Sequence, residues 1–165
     1  MLDIYIDSRE KRNEKIIEAF EKRGIFYKIK KLDFGDYSGL VRFSNGKRIS
    51  LETVVFYERK RELTELSNTL CQGERRFINE LELANTFVDH KKLIIEDIDY
   101  YRNILNHNYR TKLPPDVFLK KLYYYQNKYK FEIVALDGEL TASYIYRNMI
   151  QVVEDKKDFL LNFAR

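Results

Sequence analysis

The chain predicts an α/β domain with a mixed central sheet flanked by helices, and three observations carry that expectation. Runs of β-favouring residues recur along its length, stretches with apolar residues at helical spacing alternate with them, and Asn45-Gly46 lies between two β-type runs. Asn-Gly in that position is a strong hairpin signal, and alternation of the two periodicities is the signature of a layered α/β architecture.

Residues 2–7 alternate as a first strand and end in the polar run Asp7-Ser8-Arg9-Glu10, after which Ile16, Ile17 and Phe20 mark a helix stopped at Gly24. Residues 25–32 read as a second strand, and residues 37–43 and 49–57 as two more joined by Ser44-Asn45-Gly46-Lys47-Arg48. Leu63, Leu66 and Leu70, then Phe77, Leu81 and Ala84, predict two helices broken at Gly73. Leu93-Ile94-Ile95 reads as a short buried strand and residues 103–113 as a loop with His107 and Arg110. Pro114-Pro115 opens a helix to Tyr129, residues 131–136 form another strand, and residues 141 to about 163 form a closing helix.

The 165 residues suit one domain with a single core, taken as residues 1–165, and no repeat, low-complexity tract or linker interrupts them. Hydrophobic residues make up 44% and aromatics 15%, which excludes a disordered chain. No basic leader and no bilayer-length apolar run is present. Cys71 is the single cysteine, so neither an internal disulfide nor a Cys-rich zinc site is available. A cytoplasmic setting is expected, the host cytoplasm or nucleoid if the chain is phage-encoded.

Thirty basic against 26 acidic side chains leave a charge of +4, modest for a protein that grips a polyanion. The distribution says more. Arg9, Lys11 and Arg12, then residues 59–61, then Arg75-Arg76 each lie beside candidate acidic ligands. Carboxylates suit a hard cation and the neighbouring cations suit phosphate.

The informative segment is Val54-Val55-Phe56-Tyr57-Glu58-Arg59-Lys60, an apolar strand ending in Glu-x-Lys. Residues two apart share a strand face, so Glu58 and Lys60 project together while Arg59 points away. Gly35-Asp36-Tyr37 sets a second carboxylate at the start of a partner strand, and Asp7 ends the first strand. Phosphodiester hydrolysis uses such a group: acidic oxygens hold a divalent cation, and a lysine orients or deprotonates the attacking water.

Ile6-Asp7-Ser8-Arg9-Glu10, Phe34-Gly35-Asp36-Tyr37, Tyr57-Glu58-Arg59-Lys60 with Glu65-Leu66, and Arg75-Arg76-Phe77 occur in that order. Together they resemble the nuclease domain of the XPF/Mus family of structure-specific endonucleases, of the restriction-endonuclease-like, PD-(D/E)xK fold. The chain is similar in style to its compact phage and low-GC bacterial versions. The resemblance implies Mg2+- or Mn2+-dependent cleavage of DNA, branched or otherwise structured, in recombination, repair or phage DNA processing. By position it implies that Asp36 and Glu58 are metal ligands, Lys60 the catalytic lysine and Arg59 essential, with Asp7 and Glu10 completing the catalytic acidic cluster and Asp7 a third ligand. Arg9, Arg61 and Arg76 are the expected DNA contacts, Glu65 and Glu80 the outer carboxylates supporting the ligands, and a homodimer the expected assembly.

Two departures stand out. Four places after Lys60 the family pattern has Asp where this chain has Thr64, followed by Glu65. A single nuclease domain without the tandem helix-hairpin-helix module of eukaryotic and archaeal members is also expected, since these residues show neither the length nor the glycine pattern for it. A catalytically inactive DNA-binding or scaffolding subunit is the alternative reading; an RNA-directed or partner-dependent nuclease is a third.

Blander readings stand beside these. Asp7 and Glu10 can cap the first helix, and Arg75 and Arg76 can pair along a helix surface with Asn79 or Glu80. Leu119, Leu122, Tyr125 and Tyr129 form a core stripe, which favours packing over base stacking for Tyr123-Tyr124-Tyr125. His90 and His107 receive no role. One conflict is internal: a strict two-residue turn at Asn45-Gly46 sets Asp36 opposite Val55, three positions short of Glu58 and roughly 10 Å away along the strand. An irregular pairing in this hairpin is therefore expected.

Overall fold

A computed structural model describes residues 1–163; Ala164 and Arg165, the end of the expected domain, lie outside the described residues. Seven strands form one mixed sheet: β1 (Leu2–Asp7), β2 (Tyr27–Lys30), β3 (Tyr37–Arg42), β4 (Arg48–Ser50), β5 (Val55–Lys60), β6 (His90–Ile95) and β7 (Glu132–Ala135). Their order is β2-β1-β3-β5-β6-β7, with β4 paired to β3. β1 and β2 run parallel, β3 runs antiparallel to β1 and β5, and β5, β6 and β7 are mutually parallel.

Helices cover both faces, as the near-continuous burial along β1, β5 and β6 requires. On one side Phe56, Leu93 and Ile95 pack against α2 (Leu63–Thr69), α3 (Glu74–Phe87), α4 (Tyr100–Leu105) and α5 (Pro115–Tyr129). On the other Ile4, Ile6, Val55, Tyr57 and Ile94 pack against α1 (Glu14–Lys22), α6 (Thr141–Asp155) and α7 (Lys157–Phe163). The stripe expected on α5 is buried at Phe118, Leu122, Tyr125 and Tyr129, with Leu119 packed at its margin, so of the tyrosine run Tyr125 serves the core while Tyr124 is exposed. No helix among the described residues is long and apolar enough to cross a membrane.

The hairpin resolves the register conflict. Phe43 N–H donates to Lys47 O, so the turn encloses three residues, with Gly46 at φ +84°, the three-residue loop with a left-handed residue. The expected single strand over 49–57 is two strands: residues 51–54 leave the sheet in a tight turn closed by Val54 N–H and Val55 N–H to Leu51 O. β5 re-enters with Tyr57 opposite Tyr37. One step further along each strand, Asp36 lies beside Glu58.

Four other expectations need correction. The second strand is trimmed to Tyr27–Lys30. β6 begins at His90, because Lys91 reaches back to Val88 O (2.6 Å) and Lys92 pairs with Glu132 of β7, so both lysines are buried within a strand. Residues 103–113 are not all loop, since α4 runs into them. The closing helix breaks at Lys156 into α6 and α7.

Candidate active site

The site forms where β1, β3 and β5 meet. Asp7 N–H donates to Asp36 O (2.8 Å) and Asp36 N–H to Tyr57 O (2.7 Å), which ties three strand ends together. Arg59 N–H donates to Asp36 Oδ2 at 2.7 Å, fixing that carboxylate beside β5. Gly35 allows this turn: its φ is +69°, and a Cβ there would stand 3.1 Å from Tyr57 O.

Alternation along β5 puts Glu58 and Lys60 on the face of Phe56, toward α2 and α3, and Arg59 on the opposite face with Tyr57. Lys60 Nζ donates to Glu58 Oε1 at 2.7 Å, and both are buried. They sit in a cleft of about 320 Å³ lined also by Asp7, Arg9, Glu10, Asp36, Arg61, Glu65, Arg76 and Glu80. Ten of the eleven residues singled out by sequence therefore share one cavity. The exception is Arg59.

Arg59 lies behind the cleft as a buried tie. It donates to both oxygens of Glu96 (2.8 and 3.0 Å) and to Glu10 Oε1 (2.8 Å). Burial alone would lower its pKa, but Glu96, Tyr37 and Glu10 more than offset this, so it is held fully protonated. Glu96, which follows β6 directly and accepts from Thr141 Oγ1 (2.6 Å), is the residue that sequence reasoning missed. It belongs to no short motif; only the charge demand of a buried arginine could have pointed to it.

The capping reading of Asp7 and Glu10 is not what the structure shows, since α1 starts at Glu14 with no side-chain cap. Asp7 instead accepts four hydrogen bonds, from Arg9 N–H, Nε and Nη2 and from Leu32 N–H. Burial raises its pKa, yet these donors prevail and hold the carboxyl below its ordinary value. Each oxygen thus carries two donors. The expected DNA contacts are also engaged: Arg9 with Asp7, Arg61 with Glu65 (3.7 Å), and Arg76 with Glu80 (3.1 Å), the helix-surface pair named as its alternative. Thr64 Oγ1 accepts from Arg110 N–H (3.1 Å), while Glu65 Oε1 stands 4.0 Å from Lys60 Nζ.

Asp36 is electrostatically frustrated. Burial first, then the charges of Glu58 and Glu10, push its pKa well above the carboxylate range, against the pull of Lys60 and the Arg59 N–H. Glu10 is raised as well, chiefly by burial, with Glu65 and Glu58 adding to it and Arg59 opposing. For Lys60, burial is outweighed by Glu58 and Asp36, so the ammonium is retained well above its ordinary pKa. Among the described residues no three His, Cys, Asp or Glu side chains converge as a ready metal cage. Two adjacent hard carboxylates, Glu58 paired with Lys60 and Asp36 with no ion pair among the described residues, nonetheless fit a cation of the Mg2+ kind, which takes one or two carboxylates and keeps several waters.

A model of the ERCC4 domain matches residues 6–148. Solved structures of XPF from Aeropyrum pernix share the fold: one aligns with TM-score 0.63 and 18% identity over 90% of this chain, and a second, in complex with DNA, with TM-score 0.65 and 18% identity over 94%. The chain spans 60% and 66% of the lengths of those structures. No curated protein matches. The fold is restriction-endonuclease-like, as the motifs implied, and the chain belongs to the ERCC4-domain family.

Proposed function

We propose that this domain is a divalent-metal-dependent endonuclease that hydrolyses phosphodiester bonds in branched or structured DNA. The observation that carries the reading is the pairing of Asp36 with Glu58 across the ends of β3 and β5, with Lys60 Nζ 2.7 Å from Glu58 inside the cleft. Asp36 and Glu58 would hold the cation, with Glu10 near enough to raise the negative potential. A bound Mg2+ or Mn2+ supplies charge stabilisation at the phosphoryl oxygens and lowers the pKa of water. Lys60, held protonated, orients the attacking water and offsets developing negative charge rather than removing a proton. Asp7 braces the loop after β1 through Arg9, Glu65 supports Lys60 and Arg61, and Arg59 positions Asp36 and Glu10 without touching substrate.

The family membership supports the reading, as does the DNA held by one of the similar XPF structures. The work in recombination, repair or phage DNA processing, the cytoplasmic setting and the homodimer are proposed on the same footing. An inactive DNA-binding subunit is the second reading, and Thr64 favours it, because its hydroxyl is spent on Arg110 N–H where the family pattern has a carboxylate. Incubating the protein with labelled duplex, flap, fork and four-way-junction DNA in Mg2+, Mn2+ or chelator separates the two. The nuclease reading expects metal-dependent products from at least one branched substrate. Binding without products in either metal would leave the inactive subunit.

A further inference from the structure

The cleft is lined by six cations, Arg9, Lys11, Arg12, Lys60, Arg61 and Arg76, and by six carboxylates. Four of the cations are already committed: Arg9 to Asp7, Lys60 to Glu58, Arg61 to Glu65 and Arg76 to Glu80. A paired cation gains little from a phosphate, because it must first give up its carboxylate. Lys11 and Arg12 are exposed on the loop between β1 and α1 and form no side-chain hydrogen bond or ion pair among the described residues. Arg12 also adopts φ +54°, a left-handed conformation that favours glycine. Its carbonyl lies 3.4 Å from Arg59 Nη1, the arginine that holds Glu10 and Glu96. A strained, unpartnered arginine at the rim of an acidic cleft is costly for folding alone, and such outliers concentrate at functional positions.

We propose that Lys11 and Arg12 are the residues that grip the sugar-phosphate backbone of the DNA strand entering the cleft, while Arg9, Arg61 and Arg76 are internal braces of the acidic cluster. This rests on the nuclease reading. Two free cations release counterions when they meet phosphates, and the strand is held beside Asp36 and Glu58 despite their negative field. The contact is to phosphate and carries no base specificity.

The test is equilibrium binding of a fluorescent junction DNA in chelator, measured by anisotropy across a salt series. The wild type is compared with the double variant Lys11→Ala/Arg12→Gly and with Lys28→Ala, an exposed lysine on β2 outside the cleft. Glycine at position 12 suits the backbone, so the double variant keeps its fold and a thermal midpoint no lower than wild type. Its log K against log[salt] slope falls in magnitude by about 1.4–1.8, two contacts at ~0.7–0.9 each. In Mg2+ its KM for the junction rises while kcat at saturating DNA is retained. Lys28→Ala keeps the wild-type slope. A double variant with the wild-type slope overturns the proposal, as does an equal loss from Lys28→Ala. A wild type that binds no DNA at any salt overturns the nuclease reading as well.

Discussion

Asp36 and Asp7 stand at the neighbouring ends of β3 and β1, joined through their backbones, and their pKa values are shifted in opposite senses. Asp36 has a folded-state pKa above its unfolded value, so its ionised form opposes folding, and metal-free stability rises as pH falls through the Asp36 range. Asp7 has a lowered pKa, so its contribution is fully present above the unfolded value of about 3.9 and is lost as pH falls through the folded one. Asp36→Asn should therefore raise the thermal midpoint at pH 7 in chelator, by about 2–4 °C for each 1 kcal/mol relieved, while abolishing cleavage. Calorimetry of the pair checks this; a lower midpoint would mean that Asp36 is not electrostatically frustrated. Lys60 makes a separate test of its neighbourhood. It is enclosed against Glu58, so the larger planar guanidinium of Lys60→Arg should leave cleavage as low as Lys60→Ala does. Single-turnover rates measure it, and near-wild-type activity in the arginine variant would reduce the role to any positive charge.

The excursion of residues 51–54 is the element-level device that brings the two site carboxylates together, since it shifts β5 against β3 until Tyr57 faces Tyr37. The need for an irregularity was legible from Asn45-Gly46, Asp36 and Glu58 alone. Its size was not, because Leu51 and Val54 are apolar and continue the strand pattern on paper. Other elements were hidden for physical reasons too. Lys91 and Lys92 argue against a strand until Val88 O and Glu132 supply their partners, and α4 is six residues long with no side-chain cap to announce it. Gly35 tests the hinge of the arrangement. Gly35→Ala forces a side chain to φ +69° and against Tyr57 O, so stability should fall by about 1–2 kcal/mol and activity should fall with it, because Asp36 N–H loses its bond to the same oxygen. Gly46→Ala, at φ +84° in open space, is the control. It should weaken the fold comparably and leave the rate unchanged; equal losses of activity would separate Gly35 from the site.

For the whole molecule, helices on both faces leave the strand ends at one rim as the place where polar side chains converge, and Asp7, Asp36, Glu58 and Glu96 all stand there. The mixed sheet and the core faces were readable because periodicity reports burial directly. Ten site residues were readable as neighbours because their motifs lie at the ends of β1, β3 and β5 or on α2 and α3 beside them, but their partners were not: Arg9 reads as a phosphate contact and is a donor to both oxygens of Asp7. Ion pairing depends on tertiary geometry, which neither periodicity nor spacing encodes. The central claim is that Asp36 and Glu58 hold the cation that makes the cleft hydrolytic. It is tested most directly by the single-turnover cleavage rate of a labelled junction against Mg2+ concentration, for wild type and Glu58→Ala. The wild type should be silent in chelator and rise to saturation with Mg2+. Glu58→Ala should stay more than about 100-fold slower at every concentration, beyond the roughly ten- to hundred-fold typical of losing an outer partner. Cleavage by the wild type in chelator, or a Glu58→Ala curve that reaches the wild-type rate, would contradict it.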